Sequence, residues 1–434
     1  MSLLAFLRPA GPVPAAYRSN FRHLYMDVAW YGLLAASTLA FVGVYLARQG
    51  GSGFQIGLLT AGPAIVNLLV AMPVGRWLQS RAIGKAVFWA SLVHRLFYVL
   101  WIPLPLLLAP AAQVWTIIGL TIVMSAPGAG LAIGFNALFA EAVPPTWRGY
   151  VAGVRNALLA VASVVGALAC GRVLTALPFP AGYQVVFAVG TVAAFMSSLH
   201  LWFVRAPPTW QSPPRSTASM DDVGGSGPDH ADRRPALFSS LWRAAGSGLH
   251  TEVLRSPFRK VLIALFVFHI SQYVTVPVVP VFMVRGLHLQ DQQIGLAMAV
   301  FWFFTFAGSM LLARLAEHKG HQWLTGSGAI LMAFYPGFMA LSSAYGMAFV
   351  LIASCIGGGG YALMSGAFLN YILERAPRQD RPAYLAWYNI AFNAAILIGA
   401  LLGPFAVGRM GFVAALCLFA AARVAAGLFI IKRG

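Results

Sequence analysis

Long apolar segments recur along the whole chain, and they constrain its fold more than any other feature of the sequence. Each contains about 20 or more mostly apolar residues, enough as a helix to cross the roughly 30 Å hydrocarbon core of a bilayer. Of the 434 residues, 59% are hydrophobic and only 9% are charged, whereas a soluble domain carries about 25% charged residues. The chain therefore cannot cover its surface with polar groups and needs lipid around it.

These segments predict an all-α polytopic membrane protein. Cys170, Cys355 and Cys417 all fall in apolar segments, so they indicate small packing residues and no disulfide framework or metal site. We predict twelve membrane helices, at residues 24–47, 54–78, 83–108, 113–141, 150–175, 183–204, 258–284, 291–316, 322–343, 345–373, 383–407 and 410–431.

The basic residues set the predicted orientation. The net charge is +18, but the Lys and Arg residues lie in short loops between apolar segments, which argues against a nucleic-acid partner. With the N-terminus in the cytoplasm, 22 basic residues fall on the cytoplasmic side and four on the other. Because cytoplasmic loops are enriched in Lys and Arg, we predict that both termini are cytoplasmic in a plasma or inner membrane.

Two sequence echoes indicate an internal duplication. The stretch that begins E-A-V-P-P-T-W-R at Glu141 resembles the stretch that begins E-R-A-P-R-Q-D-R at Glu374, an offset of 233. Upstream, F-Q-I-G-L-L-T-A at Phe54 resembles Q-Q-I-G-L-A-M-A at Gln292, an offset of 238. Two echoes in the same order predict two related six-helix bundles.

We therefore divide the chain into two bundles and three connecting or terminal segments. The connection between the bundles is rich in Pro, Ser, Gly, Asp and Arg, and its second part is either an amphipathic helix on the membrane surface or an unstructured linker. The predicted parts are a cytoplasmic N-terminal segment at 1–23, an N-terminal bundle at 24–204, a linker at 205–257, a C-terminal bundle at 258–431 and a cytoplasmic tail at 432–434.

The connection between the second and third helices carries a family resemblance. It reads G-R-W-L-Q-S-R-A from Gly75, and the corresponding stretch of the second half reads A-R-L-A-E-H-K-G up to Gly320. Together with the 6+6 layout, both are similar to the G-x-L-A-D-R-x-G signature of the major facilitator superfamily of secondary transporters. Gln79 replaces the usual acid and Ala82 the usual glycine in the first copy. The resemblance implies two pseudo-twofold-related bundles around a central cavity lined by helices 1, 2, 4, 5, 7, 8, 10 and 11.

Charged residues in the predicted cytoplasmic turns are candidates for a gate. In each E-x-x-P-x-x-x-R turn, the acid and the arginine can pair across a proline that ends one helix. The alternative is that these loops only follow the positive-inside rule, because ion pairs at an aqueous surface contribute little. The gate candidates are Gly75, Gln79, Arg81, Glu141, Arg148, Glu317, Gly320, Glu374 and Arg381.

Polar residues on the faces of the membrane helices are candidates for a substrate site. His269, Gln272 and Tyr273 are spaced so that they share one face of helix 7. Helix-to-helix hydrogen bonding is the alternative for each polar residue, and a structural bridge is the alternative for the deep Arg95. The candidate substrate-binding residues are His269, Gln272, Tyr273, Asn67, Asn389, Asn393, Tyr31 and Arg95.

Acidic residues are scarce in the predicted membrane segments, so proton coupling stays open. None of the eleven acids lies near the middle of a predicted helix. Asp27 lies in the first turn of predicted helix 1, where the helix dipole stabilises an acid. His269 is the other coupling candidate, because an imidazole titrates near pH 6.5.

The sequence thus predicts a secondary active transporter that moves a small molecule by alternating access. Whether it is proton-coupled and whether it exports stay open. The substrate is expected to be neutral, amphipathic or anionic, and the protein to be a monomer in the bilayer. We predict no enzyme activity, catalytic residues, cofactor or metal, because no nucleotide-binding loop or catalytic cluster is found. The alternatives are a non-transporting receptor or scaffold on the same fold, and a membrane enzyme acting on a lipid-linked substrate.

Overall fold

The computed structural model describes residues 13, 15–205, 251–377 and 381–433, and these residues are almost entirely helical. The amphipathic helix considered for the linker lies outside the described residues. Within the described residues, eleven helices are long and apolar enough to cross a membrane, and the last of them, Ala383–Lys432, is 50 residues long. A helix of that length measures about 75 Å, more than twice the bilayer core, so it must cross the membrane twice.

The first half contains six membrane helices. The bounds are α1 at Ala15–Arg48, α2 at Gly53–Gln79, α3 at Ile83–Trp101, α4 at Pro110–Ala142, α5 at Arg148–Ala176 and α6 at Ala181–Trp202.

The second half contains the other six helices. They are α7 at Arg259–Gly286, α8 at Asp291–Lys319, α9 at His321–Tyr345, α10 at Met347–Arg375, α11 at residues 381–410 and α12 at residues 411–433. The chain reverses between α11 and α12 at Gly411, whose φ of 80° is a left-handed conformation that favours glycine. The predicted twelve helices are confirmed.

Proline accounts for two departures from the predicted helices. The third helix ends at Trp101, and Leu104–Leu107 forms a separate turn, because Pro103 and Pro105 cannot continue the hydrogen-bond ladder. In α7, the α-helix ends at Tyr273 and resumes at Val278–Val281, after Pro277. The chain then forms a π-helical turn at Phe282–Gly286.

The first helix begins earlier than predicted, and this changes the setting of Asp27. A 3-10 turn at Ala15–Tyr17 leads directly into the helix at Arg18. Asp27 is therefore nine residues past the α-helical start and beyond the reach of the N-terminal dipole, which acts within the first turn. The prediction of a first-turn acid is wrong, and side chains from other helices supply its partners instead.

The second sequence echo has a structural cause. Ser52 and Gln55 form a capping box at the start of α2, and Gln290 and Gln293 form the same motif at the start of α8. Each pair satisfies backbone N–H groups that the first helical turn leaves free. The two pairs are 238 residues apart, which is the offset of this repeated sequence. The repeat therefore encodes the same N-terminal helix cap in both halves.

The two halves meet closely on one side of the molecule. We call the side of residues 205 and 251, where the linker leaves and re-enters the bundles, the linker side, and the opposite side the far side. Near the far side, a Cβ on Gly295 of α8 would lie 2.6 Å from the carbonyl oxygen of Ala167 in α5. A Cβ on Gly57 of α2 would lie 2.5 Å from the carbonyl oxygen of Ala400 in α11. Only glycine permits these approaches between the halves.

Candidate functional site

An internal cavity of about 300 Å³ lies in the second half, beside α1 of the first half. Its walls come from α7, α8, α9, α10 and α12, with Val44 contributed by α1. Aromatic side chains form much of its surface, including Trp302, Tyr335 and Tyr361. A mostly apolar cavity with a few polar groups is the usual form of a small-molecule site.

One of the three predicted residues on α7 lines this cavity. Gln272 contributes to its wall, and its side chain interacts with the imidazole of His269. His269 is 3% exposed and lies one turn away, where its Nε2 is 3.0 Å from the hydroxyl of Tyr388 on α11. Tyr273 packs with His269 around Phe392, with ring centroids 5.9 and 4.6 Å from it. The three residues therefore share one region, but His269 and Tyr273 are not among the residues that line the cavity.

Arg423 of α12 is the charged residue among the described residues that line the cavity, and its place in a membrane helix leaves it the same alternatives as Arg95, a structural bridge or a substrate role. It is 1% exposed, and its Nη1 donates to the carbonyl of Met332 on α9 at 2.9 Å. Its Nη2 donates to the carbonyl of Ser271 at 2.6 Å and to Thr275 Oγ1 at 3.1 Å, both on α7. Its Nε has no partner among the described residues. An arginine deep in a predicted membrane helix was the available sequence signal.

Arg95, a predicted substrate residue, bridges two helices of the first half. It is 3% exposed, and its Nη1 donates to the carbonyl of Ala194 at 2.8 Å and to Ser198 Oγ at 2.7 Å, both on α6. Ser198 in turn lies 2.7 Å from Ser91 Oγ on α3. These contacts favour the bridging alternative for Arg95. The corresponding bridge of the second half joins Arg423 to Met332, again between the third and sixth helices.

Asp27, the first coupling candidate, is the centre of a buried polar cluster in the first half. It is 4% exposed and forms an ion pair with Nη1 of Arg155 on α5 at 3.2 Å. Ser197 of α6 donates to its other oxygen at 2.5 Å. Arg155 also donates to the carbonyl of Leu24 and lies over the ring of Phe135. One carboxylate thus joins α1, α5 and α6.

The remaining predicted substrate residues are dispersed. Asn393 is buried and donates to the backbone and side-chain oxygens of Asn389 at 2.9 Å each, within α11. Asn389 itself is exposed, and Asn67 of α2 is half-buried. Tyr31 of α1 is 40% exposed. None of these four is among the residues that line the 300 Å³ cavity.

A second cavity, of about 410 Å³, lies between the halves near the linker side. Asn156 of α5 lines it from the first half, and Ser309 of α8 and Asn370 of α10 line it from the second. The same pair of helices, α5 and α8, is in close contact near the far side. The interface between the halves therefore has close helix contacts near the far side, outside which lies an open depression of about 720 Å³ lined by Arg48 and Asp291, and it is hollow on the linker side.

Polar contacts close the far side. Asp291 Oδ1, at the start of α8, accepts from Arg48 Nη2 at 2.7 Å and Nε at 2.9 Å, at the end of α1. It also accepts from the hydroxyl of Tyr183 on α6 at 2.8 Å. Arg285 at the end of α7 donates to the carbonyls of Ala47 and Gly51 at 2.8 and 2.7 Å. We call these contacts the far-side latch.

The predicted gate residues make contacts within their own halves. Arg148 donates to the carbonyls of Ala140 at 2.8 Å and Val143 at 3.3 Å, so it caps the end of α4. Glu141 is half-buried and shares a surface cavity with Lys85. Arg148 pairs with backbone oxygens here because the helix end presents unpaired carbonyls to it.

The other gate candidates lie at the linker-side ends of their helices. Arg81 stacks over Trp77 at 5.0 Å, and Gly75 is open on its Cβ side. Glu374 Oε1 lies 2.6 Å from His321 Nδ1, an ion pair when the imidazole is protonated. Glu317 is exposed and Gly320 has a φ of 78°. The side chains of Gln79 and Arg381 lie outside the described residues.

Comparison with known proteins agrees with this architecture. A family model described as the Major Facilitator Superfamily matches residues 28–258 and 261–433. No curated protein matches the chain. The chain is similar to the crystal structure of the nucleoside transporter NupG, with a TM-score of 0.67 and 10% identity over 95% of this chain and 99% of that one.

Two other solved structures share the fold. The crystal structure of a D-xylose–proton symporter has a TM-score of 0.68 and 15% identity over 96% of this chain and 97% of that one. An inward-facing, unoccupied bacterial homolog of the human lysosomal transporter Spinster has a TM-score of 0.60 and 16% identity, with 97% and 96% covered. At these identities the likeness concerns the fold.

Proposed function

The chain belongs to the major facilitator superfamily, and from this premise we propose that it moves a small organic molecule across a plasma or inner membrane by alternating access. It is a multi-pass membrane transporter and not an enzyme. The observation that carries the proposal is the asymmetry of the interface between the halves, which is latched on the far side and hollow on the linker side. A carrier needs such an interface, because its halves tilt about a central site.

In this proposal the structure is the state open to the linker side, and the linker side is the cytoplasm. The proposed transition breaks the contacts of Arg48 and Arg285 on the far side and brings α5 and α8 together around the linker-side cavity. Asn156 and Ser309, which line that cavity, would then become buried. The predicted gate residues Arg81, Arg148 and Glu317 would act in this closed state, in which the linker-side loops approach each other.

We place the substrate site at the cavity beside Gln272. The group formed by His269, Tyr388 and Tyr273 supports it from behind, because the contact between His269 and Tyr388 links α7 to α11. Movement of one helix is therefore transmitted to the other. His269 is also our candidate for proton coupling, and the titratable groups that face it are the hydroxyls of Tyr388 and Tyr273.

Flux in proteoliposomes tests the transport proposal. Purified full-length protein is reconstituted and screened against a library of small neutral and anionic solutes, with and without an imposed proton gradient. We expect saturable flux driven by a solute or proton gradient without ATP. Binding without flux for every ligand found would favour the receptor alternative.

A reversibly locked variant provides the matched control. Arg48→Cys and Asp291→Cys are combined in a chain in which Cys170, Cys355 and Cys417 are replaced by alanine. A flexible bifunctional thiosulfonate then joins the two halves on the far side. We expect flux to stop on cross-linking and to return on reduction, whereas continued flux through the cross-linked protein contradicts alternating access.

A further inference from the structure

Arg423 is a buried cation without an acidic partner among the described residues. The described acids of the second half are Glu252, Asp291, Glu317 and Glu374. Glu252 precedes α7, Asp291 begins α8, and Glu317 and Glu374 lie in the last turns of α8 and α10. None of the described residues that line the cavity around Arg423 is acidic. Its acceptors are neutral oxygens, which satisfy hydrogen-bond geometry but leave the charge in place. A charge at this depth in a membrane is costly and marks a functional site by default.

The first half has two buried arginines, and the nearby carboxylate of Asp27 stabilises the charge of both, although Arg95 donates hydrogen bonds only to neutral oxygens. Arg155 lies in a similar apolar setting, and Asp27 pairs with it at 3.2 Å. Among the described residues, the second half has no equivalent carboxylate, although Arg423 is 1% exposed and therefore more deeply buried than the half-buried Arg155. The counter-charge of Arg423 is therefore missing from the described residues.

An unsatisfied polar atom belongs to the same cavity. Nε of Arg423 is a donor without a hydrogen-bond partner among the described residues, and Arg423 lines the cavity of about 300 Å³. A buried polar atom without a partner is costly, so a complementary ligand group gains free energy there. Gln272, whose side chain interacts with the imidazole of His269, lies on the same cavity wall.

The rest of the cavity fits a flat apolar body. Trp302 and Phe301 of α8 and Tyr361 of α10 lie along its wall, with Met298 beside them. Aromatic walls favour aromatic or other planar ligands through ring packing. The volume of about 300 Å³ is at the small end of the range for ligand sites, which favours a compact molecule over a lipid.

We infer that this cavity binds a compact organic anion, with its negative group at Arg423 and its apolar body between the aromatic side chains of α8 and α10. The inference names the substrate class of the proposed transporter and rests on that proposal for its role in transport. Gln272 accepts a hydrogen bond from a donor group of the anion where one is present. The anion supplies the missing counter-charge, so its neutral analogue binds more weakly.

A pair of matched probes tests this inference. Binding of 2-naphthoate and of 2-naphthamide to the detergent-solubilised full-length protein is measured by isothermal titration calorimetry. We expect the carboxylate to bind about tenfold or more tightly than the amide, because a hydrogen bond to a charged group contributes about 1.5–3 kcal/mol. Equal affinities, or no binding of the carboxylate, overturn the inference.

Two variants separate the site from general electrostatics. Gln272→Glu replaces the side-chain amide nitrogen by oxygen and so places a carboxylate on the cavity wall. Because this carboxylate repels an anionic ligand, we expect the preference for 2-naphthoate to disappear. Arg409→Gln removes one positive charge from an exposed far-side position and should keep the preference. Persistence of the preference in Gln272→Glu, or its loss in Arg409→Gln, overturns the inference. Size-exclusion profiles confirm that both variants are folded.

Flux is measured separately from binding, so that the two proposals can fail independently. If the protein binds 2-naphthoate selectively but catalyses no flux of any solute, the transporter proposal fails and the anion site remains. If it transports neutral solutes and shows no preference for the carboxylate, the transporter proposal remains and this inference fails.

Discussion

Replacement of Asp291 by alanine should open the far side. Oδ1 of Asp291 accepts two hydrogen bonds from Arg48 and one from Tyr183, at 2.7 to 2.9 Å. All three donors belong to the first half and Asp291 to the second, so they stabilise only the state in which the far side is closed. In the opposite state the carboxylate is solvated, and its loss there costs little.

The size of the effect follows from these contacts. A hydrogen bond to a charged group contributes about 1.5–3 kcal/mol, but the contributions are not additive. The Arg48 side chain is 25% exposed, so solvent weakens its ion pair with Asp291. We therefore expect a shift of about 2 kcal/mol, which is about 30-fold in the ratio of the two states. A far-side-open to closed ratio of roughly 1:99 would become roughly 1:3.

Pulsed electron–electron double resonance measures the ratio of the far-side-open state to the far-side-closed state. Spin labels at the exposed far-side positions Leu177 and Tyr345, in a chain without its native cysteines, report the separation of the halves. We expect Asp291→Ala to add a population at longer distance, and Asp291→Asn, which keeps an oxygen for Tyr183, to add less of it. Arg409→Ala is the control, because Arg409 stacks on Phe405 within its own half. An unchanged distribution in Asp291→Ala, or an equal shift in the control, would refute this reasoning.

Three further substitutions probe other parts of the molecule. His269→Ala removes the contact with Tyr388 and should lower the flux severalfold without reducing membrane insertion; unchanged flux and pH dependence in proteoliposomes would show that His269 has no role at the site. Gly295→Val places a side chain against the Ala167 carbonyl and should open the far side in the same distance measurement; a wild-type distribution would contradict it. Asp27→Leu leaves Arg155 buried and unpaired, which typically costs about 3–5 kcal/mol, so it should lower the thermal midpoint more than the double variant Asp27→Leu/Arg155→Met; an equal loss would argue against the ion pair.

The sequence predicts the architecture because a long apolar segment in lipid is stable as a membrane-spanning helix. A helix satisfies its own backbone groups, and a span of about 20 apolar residues leaves little freedom in where it begins or ends. The twelve helices were therefore predictable. The bend at Pro277 in α7 and the reversal at Gly411 also follow from local chemistry. The helical turns before residue 24 of α1 were not predicted because Arg18–His23 are mostly polar, although Asn20 and Phe21 are buried against the other helices of the first half.

The site was harder to predict because polar side chains in a membrane helix have many possible partners. Arg95 and Arg423 have the same sequence signature, an isolated arginine in an apolar segment. Only the packing shows that Arg423 lies on a cavity wall and that Arg95 bridges α3 and α6 outside it. The far-side latch was missed for a related reason. Arg48 and Asp291 are 243 residues apart and lie at the ends of two different helices, so no local pattern links them.

Reciprocal motion of the two sides tests the account most directly. Two label pairs are compared in lipid bilayers: Leu177 with Tyr345 on the far side, and Ala82 with His318 on the linker side, all exposed. We predict that Asp291→Ala lengthens the far-side distance and shortens the linker-side distance in the same fraction of molecules, because each half tilts as a unit about the interface between them. A far side that opens while the linker-side distance stays at its wild-type value would contradict alternating access.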